Sequence, residues 1–228
     1  GQHVELLQSG LSKNRESEEI LKAIDKFGVG SLIVDLPYSD VDTTYFSKFR
    51  NKGIKIVFID DNRFINPDVD VVLNSSILAT VNTQKTRNNT HYLLGPDYFI
   101  FDKLTQFTKP EKKSHLKVLI TFGGSDPAGL TMKVLRALSK ESFPGVHFEV
   151  TLGPGYDDVE QTRKYVCTYL KNTRVISKPS NIYSFFVDSD LAICAGGRTL
   201  YELISLKVPT IAIASIEHEE PVINEFLA

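Results

Sequence analysis

Short, almost wholly apolar runs alternate along this chain with longer stretches in which apolar residues recur every three or four positions. Residues 31–35, 55–60, 117–121, 147–152, 174–176, 191–194 and 210–214 are runs of the first kind, and residues 4–7 read as another, so each is expected to be a strand. Residues 16–27, 41–51, 130–140, 157–172 and 199–207 carry helical spacing: Ile20, Leu21, Ile24 and Phe27 share one face, as do Leu130, Val134 and Leu138. Gly28 and Gly30 close the first of these helices and Gly53 the second. Strands that are apolar throughout and alternate with helices make parallel sheets covered on both faces, joined by right-handed crossovers.

The rhythm loosens after Asp60, where short runs remain at 71–73 and 92–95 and the polar residues 82–89 read as a loop. The charged, proline-bearing residues 108–115 suit an interdomain linker, and the strand–helix alternation restarts beyond them. The expected architecture is α/β: two Rossmann-like domains with parallel sheets facing a cleft, residues 1–107 and 116–228. The chain opens in a strand-like context and closes in a helical stripe, Val222, Ile223, Phe226 and Leu227, with no cap after it. These residues are therefore expected to be a segment trimmed at both ends or a divergent domain of a longer protein.

Composition narrows the classes of function. The 228 residues are 42% hydrophobic and 24% charged with a formal net charge of −2, the values of an ordinary soluble globular protein, and acids and bases are interleaved. Nothing in that balance indicates a nucleic-acid or anionic-membrane partner. No apolar run is long enough to cross a bilayer and no export signal opens the chain, while Cys167 and Cys194 form no CxxC pair, so a reducing, cytoplasmic setting is expected. His3, His91, His115 and His147 have no ligand spacing, so no metal and no cofactor is expected.

Two glycine turns carry the candidate chemistry. Gly123-Gly124-Ser125-Asp126 falls between a strand and a helix start, where backbone N–H groups and the helix dipole favour an anion and the Ser125 hydroxyl adds a donor. The same residues also suit a plain βα turn, with Asp126 capping the helix and Pro127 at its first position, where a missing N–H costs nothing. Neither a Walker loop nor the spaced glycines of a dinucleotide fingerprint is present. Ala195-Gly196-Gly197-Arg198-Thr199 repeats the arrangement, and two such turns opening toward one sheet edge can hold a diphosphate between them. Arg198 either pairs with phosphate or stays solvated. Glu202 has two readings: Thr199-x-x-Glu202 is a capping box, and a carboxylate one turn into a helix also suits a ribose diol. His218 follows a strand end and is either a proton-transfer or sugar-contact residue or a surface histidine among acids. Asp35, Tyr38, Asp60 and Asp61 leave strand ends in the first half, either to face the cleft or to form turns.

These blocks resemble a family: the metal-independent nucleotide-sugar hydrolases of pseudaminic acid biosynthesis, which cleave UDP-2,4-diacetamido-2,4,6-trideoxy-β-L-altropyranose, and their relatives called spore-coat polysaccharide biosynthesis proteins. The resemblance is carried by Ile120-Thr-Phe-Gly-Gly-Ser-Asp-Pro127, residues 181–193 and 194–209, Leu94-Gly-Pro-Asp-Tyr98, Ile33-Val-Asp-x-x-Tyr38 and Ile59-Asp-Asp61. It implies the two-domain GT-B fold and a UDP-sugar as partner. It further implies that Ser125 and the glycine turns hold the diphosphate, Glu202 takes the ribose hydroxyls, the backbone near Ile176 meets uracil and Tyr38 faces the sugar, with water attacking the anomeric carbon to release UDP. The family opens with a glycine-rich turn bearing a histidine base, which these residues do not supply, so the catalytic base is unassigned. Glu219 and Glu220 stand where the family commonly has an Asn-Gln pair, leaving Tyr38, His218 and Glu219 as candidate sugar contacts and the sugar open. A UDP-sugar-dependent glycosyltransferase and a non-catalytic nucleotide-sugar-binding module are the alternatives.

Overall fold

The computed structural model describes residues 4–36, 45–60, 68–80, 89–101 and 115–227. The chain divides into two compact units, Gly1–Ile100 and Phe101–Ala228. Both are α/β with wholly parallel sheets among the described strands. Residues 108–114 of the expected linker lie outside the described residues.

The first unit runs α1 (Lys13–Phe27), β1 (Ser31–Asp35), α2 (Ser47–Arg50), β2 (Lys55–Ile59), β3 (Val71–Asn74) and β4 (His91–Leu94), with strand order β1-β2-β3-β4. The first helix begins earlier than its apolar spacing predicts because Ser12 caps it: the Ser12 hydroxyl accepts the Arg15 N–H at 3.4 Å. It ends at Gly28, whose φ of 63° is the left-handed turn that returns its N–H to the Ile24 carbonyl. Ile24 packs with Phe46, Phe49, Ile56 and Phe58 in this unit's core.

Three expectations are corrected here. Residues 4–7 are not a strand; Val4 and Leu6 are 77% and 93% exposed, and a short apolar run with no strand to pair against does not extend on its own. The helix expected over 41–51 is the single turn Ser47–Arg50, residues 41–44 lying outside the described ones. Nor is β1 covered on both faces among the described residues, for Val34 is buried while its neighbour Ile33 is 69% exposed.

The second unit contains β5 (Leu116–Thr121), α3 (Leu130–Leu138), β6 (Val146–Leu152), α4 (Val159–Tyr169), β7 (Thr173–Ser177), α5 (Tyr183–Val187), β8 (Leu191–Ala195), α6 (Arg198–Ser205), β9 (Thr210–Ile213) and α7 (Glu219–Leu227). Here burial alternates cleanly between two covered faces. Val118, Ile120 and Ile193 join Leu130, Leu135 and Val166 on one side, and Leu119, Ala192 and Cys194 join Phe186, Leu200 and Leu203 on the other. Each fully buried leucine or isoleucine contributes about 1.5–3 kcal/mol relative to exposure. Val222 of α7 is buried as its stripe predicts, but Leu227 is exposed at the helix end.

Strand order β7-β6-β5-β8-β9 positions the site. The chain winds outward from β5 through β6 to β7, then crosses back to lay β8 on the other side of β5. Beyond the carboxyl ends of β5 and β8 lies the crevice at the reversal, where doubly wound sheets bind ligands. Thr121 pairs with Cys194 in the register, so Gly123 and Gly196 emerge side by side at that point.

Candidate functional site

The β5–α3 turn is built to expose backbone donors. Gly123 takes a φ of 74° and Asp126 one of 48°, both in the left-handed region. Asp126 is held there by its own side chain: one carboxylate oxygen accepts the Leu130 N–H and the other the Thr131 N–H, each at 2.8 Å. It caps α3 as expected, from three residues ahead of the Gly129 N-cap. Pro127 is not at the first helical position; it sits inside the tight turn closed by the Gly129 N–H on the Asp126 carbonyl at 3.0 Å.

The loop after β6 fixes this turn from behind. Gly155 donates its N–H to the Gly124 carbonyl at 2.9 Å, and a Cβ on Gly153 would overlap the Gly123 and Gly124 carbonyl oxygens. In a planar trans peptide C=O and N–H are antiparallel, so a Gly124 carbonyl aimed at Gly155 turns the Ser125 N–H the opposite way. Gly123, Gly124 and Ser125 are exposed, and no acceptor among the described residues takes the Gly124 or Ser125 N–H. Such outward amides attract an anion.

The β8–α6 turn has a different state. Gly196 is buried, and its N–H is taken by Glu219, whose Oε2 also accepts the Ser215 N–H at 2.7 Å and the Ser215 hydroxyl at 2.8 Å. A Cβ on Gly196 would lie 2.8 Å from the Glu219 Cβ, so glycine is what lets this carboxylate close over the turn. Glu219, expected as a sugar contact, is thus engaged with the protein's own backbone. The first turn of α6, with Gly197 as N-cap followed by Arg198 and Thr199, remains directed to the same sheet edge.

Glu202 is not part of a capping box. The N-cap is Gly197 rather than Thr199, so the capping-box position is Leu200 and Glu202 lies two residues too far into α6 to reach back to the cap amide. It is 6% exposed, and its Oε1 accepts from the Tyr183 hydroxyl at 2.9 Å and from Arg198 Nε at 3.2 Å. Both donors converge on one oxygen, and among the described residues Oε2 receives none. Arg198 is therefore paired with a carboxylate here, with its side chain 59% exposed.

The remaining predicted residues separate into groups. Ile176 is at the carboxyl end of β7, paired with Thr151, on the same sheet edge as both turns. His218 is exposed beside buried Glu219. In the first unit Asp35 is exposed, whereas Asp60 is buried and accepts a hydrogen bond from Asn74 Nδ2 at 2.9 Å. Tyr38 and Asp61 lie outside the described residues. Among the described residues no three His, Cys, Asp or Glu side chains gather as a metal site, and no helix is long and apolar enough to cross a membrane.

Sequence reasoning passes over Gly153, Gly155, Tyr183 and the Glu219 clasp. The run Leu152-Gly153-Pro154-Gly155 is the one local signal available, since paired glycines at a strand end mark close backbone approach.

The chain matches no known protein-family profile. It is 26% identical over 228 residues to an uncharacterised protein of Methanocaldococcus jannaschii, covering 94% of this chain and 46% of that protein. It is 24% identical to the spore coat polysaccharide biosynthesis protein SpsG of Bacillus subtilis, covering 93% and 63%. To the pseudaminic acid cytidylyltransferase and UDP-2,4-diacetamido-2,4,6-trideoxy-β-L-altropyranose hydrolase of Helicobacter pylori it is 23% identical, covering 91% and 42%. The chain thus spans from under half to about two thirds of the length of these relatives. Among solved structures it is similar to MurG of Acinetobacter baumannii, with a TM-score of 0.60 at 15% identity over 100% of this chain and 66% of MurG. It is also similar to MnaA of S. aureus bound to UDP, with a TM-score of 0.55 at 12% identity over 96% and 66%. The fold is of the GT-B type.

Proposed function

We propose that this chain binds a UDP-sugar and hydrolyses it, releasing UDP from a deoxy-diacetamido hexose in the synthesis of a surface-glycan precursor. The observation that carries the reading is the exposed Gly123-Gly124-Ser125 turn, its Gly124 and Ser125 amides unengaged, at the switch point of the second sheet. The relatives named for spore-coat polysaccharide and pseudaminic acid synthesis support the substrate class.

In this reading the diphosphate lies between that turn and the first turn of α6, where Gly197, Arg198 and Thr199 present the helix N-terminus. Glu202 receives the ribose hydroxyls on Oε2, and the backbone around Ile176 meets the base. Water attacks the anomeric carbon as its bond to the diphosphate oxygen breaks, and the electron pair leaves with UDP. The Gly124 and Ser125 amides, the Ser125 hydroxyl and the α6 dipole stabilise the charge that develops on that leaving group. Similarity in fold to a solved structure named as a glycosyltransferase of Rickettsia africae supports a second reading, transfer of the sugar to an acceptor. UDP release from candidate UDP-sugars, measured with and without added acceptor, separates them: release without acceptor supports hydrolysis, and release only with acceptor refutes it.

A further inference from the structure

A buried carboxylate closes over one of the two turns between which the diphosphate is placed. Glu219 is 6% exposed, its Oε2 takes three hydrogen bonds from Gly196 and Ser215, and its Oε1 lies 3.2 Å from where a Cβ on Gly197 would stand. Those donors are two amides and a hydroxyl, and no cation is paired with Glu219 among the described residues. Dipoles stabilise the negative charge without cancelling it, so its field reaches whatever occupies the crevice. Burial and then the same charge push the neighbouring Cys194 thiol up to about 12.

An anion site normally gathers positive ends of dipoles, and here one of its two turns carries a fixed anion instead. We propose that Glu219 is a specificity-determining residue whose built-in charge makes affinity fall as the negative charge of the bound nucleotide rises. The proposal rests on the nucleotide-diphosphate reading above. Its consequence is directional: a sugar ester masks one charge of the terminal phosphate, which free UDP carries above a pKa of about 6. Product is therefore repelled more than substrate, which favours its release after cleavage.

Calorimetry or ligand-observed NMR with uridine, UMP and UDP at pH 8 tests this on the wild type, Glu219→Gln and Ser215→Ala. Glutamine keeps an acceptor for the Gly196 and Ser215 amides and removes the charge. The expected result is unchanged uridine affinity, tighter UMP and still tighter UDP in Glu219→Gln, by about 3- to 10-fold per unit of ligand charge. Ser215→Ala, which retains the charge, shows no such grading. A gain of affinity is an outcome that misfolding cannot imitate. UDP binding that is normal in the wild type and unchanged, or changed equally with uridine, in Glu219→Gln overturns the role of Glu219 and leaves the nucleotide site standing. No binding of UDP to the wild type overturns both.

Discussion

Tyr183 donates its phenolic hydrogen to Glu202 Oε1 at 2.9 Å, and Arg198 Nε reaches the same oxygen at 3.2 Å. Two donors on one oxygen restrain the carboxylate, and in the proposed reading they leave Oε2 to the ribose diol. Tyr183→Phe should therefore weaken UDP binding about 3- to 10-fold, the scale of one ordinary hydrogen bond. It should scarcely affect a nucleotide lacking both ribose hydroxyls. A calorimetric comparison of UDP with its 2′,3′-dideoxy analogue checks this; equal losses for the two would separate Tyr183 from ribose recognition.

Gly153→Ala should distort the anion turn from behind. The added Cβ overlaps the Gly123 and Gly124 carbonyl oxygens, which are backbone and cannot swing aside. Overpacking of this kind costs about 1–3 kcal/mol. Denaturant titration should show that loss, with weaker UDP binding at temperatures where the variant is still folded. Full affinity in a folded variant would show that the turn tolerates the shift.

The two cysteines should behave oppositely toward a thiol reagent. Cys167 is exposed; Cys194 is buried, with burial and then the Glu219 charge pushing its thiol up to about 12, so it stays protonated at pH 8. One thiol should titrate in the native protein and both after unfolding.

Asp70 should make the first unit acid-sensitive. Burial pushes its carboxyl up, but the Ile56 N–H at 2.8 Å, Lys55 at 3.0 Å and Arg50 outweigh burial and hold it below its ordinary value. A lowered folded-state value means stability present above the unfolded pKa and lost as pH falls through the folded one. Asp70→Asn should cost about 1–2 kcal/mol at pH 7, with the gap from wild type narrowing toward pH 3, as read by urea unfolding.

Much of the second unit is legible in its residues, because a strand buried on both faces is an apolar run and leaves little ambiguity about β5, β6 or β8. The switch point also follows from two glycine turns in strand–turn–helix settings. Local pattern misleads where the deciding partner is distant. Thr199-x-x-Glu202 has the capping-box spacing, yet the chain reaches helical geometry at Arg198, and Glu202 bonds instead to Tyr183, 19 residues away. Glu219 finds Gly196 across 23 residues, brought together by the pairing of β8 with β9 rather than by any local pattern. Residues 4–7 show the reverse failure, a strand-like run with no partner strand among the described residues.

The most direct test of the site is calorimetric titration of the chain with UDP, in the wild type and in Glu202→Ala. The predicted result is saturable wild-type binding that falls about 10- to 100-fold in Glu202→Ala, as removal of a charged acceptor for the ribose diol requires. Equal affinity in the two proteins would remove Glu202 from the site and contradict the nucleotide-binding geometry proposed for it.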